Sequence, residues 1–243
     1  MNSLGFSTGA LAKGDFVLAL KQMAGKPLSA VELSALRVNE LPHLMNSLNS
    51  LDLRAFQYIS IHAPSSFAAG EEAQIVELLK ECPKDWKIVV HPDSIKDEDK
   101  WKGFGNQLVL ENMDRRKSDG RTAEELAAWF VRFPDAKLCV DLAHAQQWDT
   151  TMTEAYLILT RFRDRICEIH ISELDSSSRH FPLSRGSIDA FSQVANLIPN
   201  DVAVIIESRV DAASMDQEMV KAKNAIEGTR MPDHAVTLSA AGA

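Results

Sequence analysis

The chain has 243 residues, of which 45% are hydrophobic and 25% are charged, and its formal net charge is −8. These proportions are typical of a soluble globular protein, and the acidic balance gives no support to a general nucleic-acid-binding surface. Three cysteines without metal-finger spacing argue against a disulfide framework, and no apolar run approaches the roughly 18 residues of a membrane span. The start of the sequence lacks the pattern of a secretory signal, so we expect a cytoplasmic protein with no membrane partner.

Short apolar runs alternate with helical patterns along most of the chain. The predicted strands are Leu4–Ser7, Ala30–Ser34 and six further runs that end at His62, His91, Glu111, Asp141, His170 and Glu207. The predicted helices cover about 15–24, 37–51, 71–81, 187–197 and 214–226, and two more begin at the capping-box patterns Thr122–Glu125 and Thr151–Glu154. A polar, weakly helical segment lies at about 96–102, and a long polar loop is predicted from Ser172 to Gly186.

One strand and one helix per period, sustained along the chain, predict a single (β/α)8 TIM barrel domain over 1–230, followed by a flexible C-terminal tail at 231–243. An open, doubly wound sheet is the alternative, and it would need a glycine-rich phosphate-binding turn after the first strand. Ser7-Thr-Gly-Ala-Leu does not match the G-x-G-x-x-G pattern of that turn, so the closed barrel is favoured. In such barrels the active site lies at the carboxyl ends of the strands.

Side chains that can bind a metal occupy the ends of the last six predicted strands. Glu111, Asp141, His170 and Glu207 supply three carboxylates and one imidazole, a mixture suited to Zn, Mn, Fe or Co. A single His at a strand end is more often a hydrogen-bonded rim residue than a ligand. Six such ends in one barrel nevertheless favour a shared metal site.

Further histidines extend this predicted site beyond one ion. His62 and His91 end the two strands before Glu111, so the Glu111 carboxylate could bridge two ions about 3.5–4 Å apart. His144 follows the sixth strand end by one helical turn, and His180 lies in the long polar loop. These two side chains are candidates for holding a third ion or for polarising a substrate oxygen.

Basic residues in two loops are expected at the same end of the barrel. Arg115, Arg116 and Lys117 follow the fifth strand, and Arg179 and Arg185 lie in the long polar loop. They are either solvated loop residues or contacts for a phosphate or carboxylate group of the substrate.

The strand-end motifs resemble those of the xylose-isomerase-like barrels. This superfamily includes sugar isomerases and epimerases as well as the endonuclease IV group of apurinic-site endonucleases, AP endonuclease family 2. The resemblance extends over most of the chain and depends, in order, on His62-Ala-Pro, His91-Pro, Leu110-Glu-Asn112, Asp141-x-x-His144, His170 and Glu207.

The two branches of the superfamily imply different ligand sets. The endonuclease resemblance implies one ion on His62, His91 and Glu111, a second on Glu111, Asp141, His170 and Glu207, and a third held in part by His144 and His180. The isomerase resemblance implies only the set Glu111, Asp141, His170 and Glu207, with the two glutamates also transferring protons and an equivalent of His144 commonly kept.

Two departures weaken the endonuclease resemblance. The endonuclease pattern expects Asp-Arg-His in the long loop, where this chain has Ser178-Arg179-His180, so the third ion loses a carboxylate ligand. The loop after His62 also lacks the aromatic residue that the endonucleases usually carry there.

Two enzyme classes therefore stay open, each with catalytic residues among Glu111, Glu207 and His144. One is a hydrolytic enzyme with one to three divalent ions, Zn, Mn or Fe, acting on a small sugar-like or phosphoester substrate. The other is a single-metal sugar or sugar-phosphate isomerase or epimerase in which Glu111 and Glu207 move the proton. An endonuclease acting on DNA is less favoured, because duplex binding needs many basic residues and the chain has 26 against 34 acidic ones. A non-catalytic binding barrel is less favoured because the ligand set is intact. A homo-oligomer is left open.

Overall fold

In the computed structural model, which describes residues 2–35 and 37–227, eight parallel strands close into a barrel. The barrel strands are β1 Ser3–Ser7, β2 Ala30–Ser34, β3 Tyr58–His62, β4 Lys87–Val90, β5 Leu108–Glu111, β6 Lys137–Asp141, β7 Ile166–Ile171 and β10 Ala203–Ile206, and two short strands, β8 Glu173–Leu174 and β9 His180–Phe181, lie outside it. Their order around the barrel is β1-β10-β7-β6-β5-β4-β3-β2, while β8 and β9 form a separate pair. The predicted closed barrel is confirmed, and the predicted tail at 231–243 lies outside the described residues.

Helices cover the outside of the barrel. They are α1 Thr8–Ala12, α2 Phe16–Met23, α3 Leu41–Ser47, α4 Glu72–Leu79, α5 Glu98–Trp101, α6 Ala123–Arg132, α7 Leu142–Trp148, α8 Thr153–Arg161, α9 Arg185–Ser192 and α10 Met215–Glu227. The helix predicted at 37–51 is shorter, because Pro42 occupies the first turn of α3 and short 3-10 turns flank it. Between residues 2 and 227, Leu36 excepted, no helix has the length and apolarity needed to cross a membrane.

The cap predicted for α8 is wrong. Met152, with a φ of 61°, precedes this helix and offers no side-chain cap. Asp149 takes that role, because its carboxylate accepts the N–H groups of Thr151 at 2.9 Å and Glu154 at 3.0 Å. The Glu154 carboxylate is then free to accept the N–H of Ala123 at 2.6 Å, which ties α8 to the start of α6.

Side chains alternate between the two faces of each barrel strand. In β2, Val31 and Leu33 pack into the main hydrophobic core beneath the helices, whereas Glu32 takes the alternate position that faces the barrel interior. A Cβ atom at Gly5 would lie 2.1 Å from the carbonyl oxygen of Ala30, so β1 approaches β2 this closely only because residue 5 has no side chain. The same alternation directs the last interior residue of each strand toward the carboxyl end of the barrel.

The long loop after β7 has more structure than its polar sequence indicates. β8 and β9 pair antiparallel, with Leu174 opposite His180. The turn between them is held by Asp175, whose carboxylate accepts the Arg179 N–H at 3.0 Å, and Ser178 adopts a left-handed φ of 53°. This hairpin brings His180 back toward the barrel mouth.

Candidate functional site

Glu111, the last residue of β5, lies at the centre of a buried cluster at the carboxyl end of the barrel. Its Oε2 atom lies 3.2 Å from Nε2 of His62 and 3.1 Å from Nε2 of His91. Its Oε1 atom lies 3.3 Å from Nδ1 of His170 and 3.3 Å from Nδ1 of His144. Imidazoles therefore contact both oxygens of one carboxylate, which is itself 1% exposed.

Glu111, Asp141, His170 and Glu207 form one compact group of ligand atoms. One atom from each lies within 4.8 Å of the others, and Oε2 of Glu207 is 3.4 Å from Nδ1 of His170. Oδ2 of Asp141 and Nδ1 of His170 are buried and have no hydrogen-bond partner among the described residues. Leaving a buried polar atom unpaired costs about 1–3 kcal/mol, so a group that would pair both atoms is expected here. Three carboxylates and one imidazole aimed at a common point fit a divalent cation.

Local structure fixes the orientation of Asp141 within this group. Its Oδ1 atom caps the start of α7 by accepting the N–H of His144 at 2.7 Å, which leaves Oδ2 facing the cluster. The Asn112 side chain accepts the Asp141 N–H at 2.8 Å and donates to the Asp141 carbonyl at 3.0 Å. These two hydrogen bonds hold the end of β5 next to the end of β6.

His62, His91 and Glu111 form a second group, again with one ligand atom from each within 4.8 Å of the others. Nδ1 of His62 donates to the carbonyl oxygen of Ala63 at 2.7 Å, so Nε2 is the atom available to a cation. The His62 and His91 rings pack edge to face with centroids 5.0 Å apart, and Nδ1 of His91 is buried without a partner. The two groups share Glu111, and the bridging of two ions by this carboxylate stays a prediction.

Burial and the crowding of charges shift the pKa values of these groups. Burial acts to lower the pKa of His62, but the carboxylates of Glu32 and Glu111 outweigh it and raise that pKa to about 10. Burial, reinforced by the charges of Glu207 and Glu111, raises the pKa of Asp141 to about 7. Although burial alone would raise it, the neighbouring histidines hold the pKa of Glu111 well below its usual value. Protons thus balance the cluster charge, and a divalent cation would displace them.

His144 and His180 lie beside the cluster but belong to neither group of ligand atoms. Nδ1 of His144 donates to the Asn112 carbonyl at 2.9 Å. Nδ1 of His180 lies 2.9 Å from the Ser172 hydroxyl and 3.7 Å from Oε2 of Glu207, and the two rings are 6.3 Å apart. Ser178, which replaces the expected Asp, donates its hydroxyl to the Gln147 side chain at 3.0 Å. The third ion stays a prediction.

Most of the basic residues predicted to contact a substrate are paired with acidic neighbours. The ion pairs are Arg116 with Asp114 at 3.2 Å, Lys117 with Asp93 at 3.0 Å, Arg179 with Asp175 at 2.6 Å and Arg185 with Asp189 at 2.9 Å. Arg115 donates to the carbonyl oxygen of Ser176 at 3.2 Å. A substrate anion would have to compete with these carboxylates, and contact of the five residues with phosphate stays a prediction.

Two fully buried carboxylates inside the barrel, Glu32 and Glu168, are not among the predicted site residues. Together with His170 they form a third group whose ligand atoms lie within 4.8 Å of one another. The signal was present, because Glu168 lies two residues before His170 on β7 and therefore on the same face of the strand. Glu32 occupies the interior position of β2 by the same alternation.

Two surface cavities formed by the described residues lie away from the cluster. A cavity of about 730 Å³ lies where β6 and β7 begin, at the amino-terminal end of the barrel, and is lined by residues such as Lys137, Phe162 and Arg165. Another, of about 670 Å³, lies beside α2. Concavity alone therefore does not identify the site, whereas converging titratable groups at the carboxyl ends of the strands do.

Comparisons with known proteins agree with this architecture. The family model described as "Xylose isomerase-like TIM barrel" matches residues 95–228. A 3-keto-D-glucoside 4-epimerase, YcjR, from E. coli has a similar structure, with a TM-score of 0.55 at 14% identity over 92% of this chain and 99% of that chain. A xylose isomerase domain protein from Alicyclobacillus acidocaldarius gives a TM-score of 0.59 at 12% identity over 92% and 99%. An amidohydrolase from Burkholderia multivorans with bound zinc gives a TM-score of 0.50 at 12% identity over 93% of this chain and 92% of that chain.

No curated protein matches the sequence. At these identities the structural likenesses establish the fold alone.

Proposed function

This chain belongs to the xylose isomerase-like TIM barrel family, and we propose that it is a metal-dependent enzyme of hydrolytic type that acts on a small sugar-like or phosphoester substrate. The observation that carries the proposal is the position of Glu111. Its two oxygens face different ligand groups, His62 and His91 on one side and His170 on the other. A carboxylate in this position is suited to bridging two divalent ions.

The exposure of the side chains indicates where a substrate would approach. Glu111 and Asp141 are 1% and 0% exposed, and they face only the cluster. Glu207 and His180 are more open, with side chains 12% and 24% exposed, so they border the mouth of the site. Two divalent ions, when bound, supply the Lewis acidity that activates water and stabilises charge on substrate oxygens.

The residues at the mouth then have distinct tasks. Glu207 is the member of the ligand group that lies next to His180, 3.7 Å from its Nδ1 atom, and there it can orient a hydroxyl group of the substrate. His180, held through Nδ1 by Ser172, presents its remaining ring nitrogen and can give or take a proton. In the described part of the chain, Arg116, Lys117 and Arg179 are each paired with an acidic neighbour, which favours a small substrate over a nucleic acid.

A sugar or sugar-phosphate isomerase or epimerase is the second candidate. The observation that favours it is the placement of Glu111 and Glu207 within 3.3 and 3.4 Å of the same atom, Nδ1 of His170, because two carboxylates around one cation can remove and return a proton on a sugar carbon. The similar structure of a 3-keto-D-glucoside 4-epimerase also supports a sugar as the substrate of this second candidate.

Metal analysis of protein purified without chelators tests the proposed site. We expect about two transition-metal ions per chain, and we expect Glu111→Gln to lose more than one equivalent because both groups use this carboxylate. Glu72→Gln is the matched control, since Glu72 is also a buried carboxylate with several donors but lies outside the cluster. Loss of only one equivalent from a two-ion protein would show that Glu111 does not bridge.

The two candidate reactions are separated by a second experiment. Metal-loaded protein is offered a panel of small phosphoesters and a panel of sugars in D2O, with product release followed in the first case and deuterium incorporation at a sugar carbon in the second. Phosphate release without deuterium incorporation supports the hydrolytic proposal. Deuterium incorporation that is lost in Glu207→Gln would support the isomerase or epimerase instead.

A further inference from the structure

A second layer of polar side chains lies inside the barrel, directly against His170. Glu32 on β2 and Glu168 on β7 are both 0% exposed, and they approach His170 from the side opposite the proposed metal group. Burying two carboxylates in a barrel interior costs desolvation free energy unless each has a specific partner. The contacts of Glu32 and Glu168 therefore indicate the role of each carboxylate.

Glu168 is held in place by two hydroxyl donors and lies against His170. The Tyr58 hydroxyl donates to Oε2 at 2.8 Å, and the Ser60 hydroxyl donates to Oε1 at 3.0 Å. Nε2 of His170 lies 3.2 Å from the same Oε1 atom. Both Tyr58 and Ser60 come from β3, on the other side of the barrel interior from β7, so the carboxylate cannot swing away from the imidazole without breaking two hydrogen bonds.

Glu32 reaches the same imidazole nitrogen from a different strand. Its Oε1 atom accepts a hydrogen bond from the Ser34 hydroxyl at 3.3 Å. Its Oε2 atom is buried without a hydrogen-bond partner and lies 3.2 Å from Nε2 of His170. Carboxylate oxygens of two residues thus surround Nε2 and favour a proton on that atom.

We propose that Glu168, supported by Glu32, positions His170 by accepting its Nε2–H, so that Nδ1 presents its lone pair to Glu111 and Glu207. The inference rests on the proposed function, because the imidazole that is oriented belongs to the proposed metal group. A carboxylate behind a ligating histidine fixes the ring and its tautomer and makes the imidazole a stronger ligand, and losing such a partner weakens metal binding roughly 10–100-fold. Glu168 and Glu32 are positioning residues in this scheme and do not touch the substrate.

The contacts favour this role over a further cation among Glu32, Glu168 and His170. Hydroxyl hydrogens of Tyr58 and Ser60 already occupy both oxygens of Glu168. A cation bound among Glu32, Glu168 and His170 would also require His170 to lose the proton on Nε2. At the same time Nδ1 of His170 would bind the ion of the group that contains Glu111 and Glu207.

The test compares wild-type protein with Glu168→Gln, which keeps the shape and an acceptor oxygen but removes the charge. Zinc affinity is measured by competition with a chelator of known affinity. We expect a loss of roughly 10–100-fold in Glu168→Gln, a smaller loss in the same direction in Tyr58→Phe, and wild-type affinity in the buried control Glu72→Gln. If Glu168→Gln does not fold, Tyr58→Phe decides, because it frees the same carboxylate without removing charge.

A spectroscopic readout separates positioning from general destabilisation. In cobalt-loaded protein the Nε2–H of a histidine bound through Nδ1 gives a strongly shifted, exchangeable proton resonance. We expect one such resonance in the wild type to move and to exchange faster with D2O in Glu168→Gln, whereas the resonances from His62 and His91 stay in place.

The outcomes distinguish this inference from the proposed function. Wild-type protein that binds no transition metal overturns both. Wild-type protein that binds metal, with unchanged affinity and an unchanged resonance in Glu168→Gln, overturns the positioning role alone. A drop of one whole metal equivalent in Glu168→Gln, with the remaining ions bound at wild-type affinity, would make Glu168 a ligand and also overturn it.

Discussion

Metal loading should stabilise this protein strongly, because the folded chain buries polar atoms that only a cation pairs. Among the residues described, 2–35 and 37–227, Oδ2 of Asp141 and Nδ1 of His170 have no hydrogen-bond partner, and both are buried in the proposed metal group. A ligand that binds only the folded state at 100 times its dissociation constant adds about 2.7 kcal/mol to the free energy of unfolding. For a chain of this size, this corresponds to a rise in Tm of about 5–11 °C. Thermal unfolding with Zn or Mn, before and after chelation, measures it.

The rise in Tm on metal loading should depend on pH. The direction of this dependence follows from the raised pKa values of His62 and Asp141. His62 has its pKa raised from 6.5 to about 10, so in metal-free protein its contribution to stability is present below pH 6.5 and is lost as pH rises toward 10. The pKa of Asp141 is raised from 3.8 to about 7, so the contribution of this residue to stability is present below pH 3.8 and is lost as pH rises to 7. Metal binding displaces both protons and becomes tighter as pH rises. The difference in Tm between loaded and metal-free protein should therefore grow from pH 6 to pH 9.

Two results would refute this reasoning. One is the absence of any change in Tm when Zn, Mn, Fe or Co is added at pH 8. The other is a change that is equally large at pH 6 and pH 9, since that would mean that the bound ion displaces no protons from these groups. The Glu72→Gln control should keep the full effect, and Asp141→Asn should lose most of it.

Further predictions concern the barrel, one helix cap and nucleic acid. Gly5→Ala should lower the free energy of unfolding by about 3 kcal/mol in urea titrations, because the new Cβ would lie 2.1 Å from the Ala30 carbonyl; a neutral result would mean that β1 is not so close to β2. Asp149→Ala should cost about 1 kcal/mol by uncapping α8 while leaving metal content unchanged. Metal-loaded protein should bind duplex with one abasic site weakly at physiological salt in an anisotropy titration; tight binding with incision beside that site would contradict the small-molecule proposal.

The barrel could be predicted because two independent patterns agree. Apolar runs recur with one helical pattern each, and six of the eight predicted strands end at a His, Asp or Glu. Once a parallel barrel is assumed, alternation places those residues at one end, which is where Glu111, Asp141 and His170 meet. Strand ends are fixed by the pattern itself, so residues at these positions are predictable without knowledge of packing.

Features that depend on contacts across the barrel were not predictable in the same way. Glu32 on β2 and Glu168 on β7 are not on neighbouring strands, and only the closed geometry brings both to one nitrogen of His170. The cap of α8 depends on competition between Asp149 and Thr151 for the same N–H groups, which sequence spacing does not decide. The ion pairs of the loop arginines likewise appear only once the loops have their conformation.

The second ligand group is the strongest structural argument about the class of reaction. A one-metal isomerase needs only the set around Asp141, His170 and Glu207, and it has no use for two further imidazoles on Oε2 of Glu111. Nε2 of His62 and Nε2 of His91 crowd against the same oxygen of Glu111, at 3.2 and 3.1 Å. Such an arrangement is expected to persist where a cation makes it favourable. The number of ions that depend on Glu111 therefore decides between the two candidate reactions more directly than any likeness of fold.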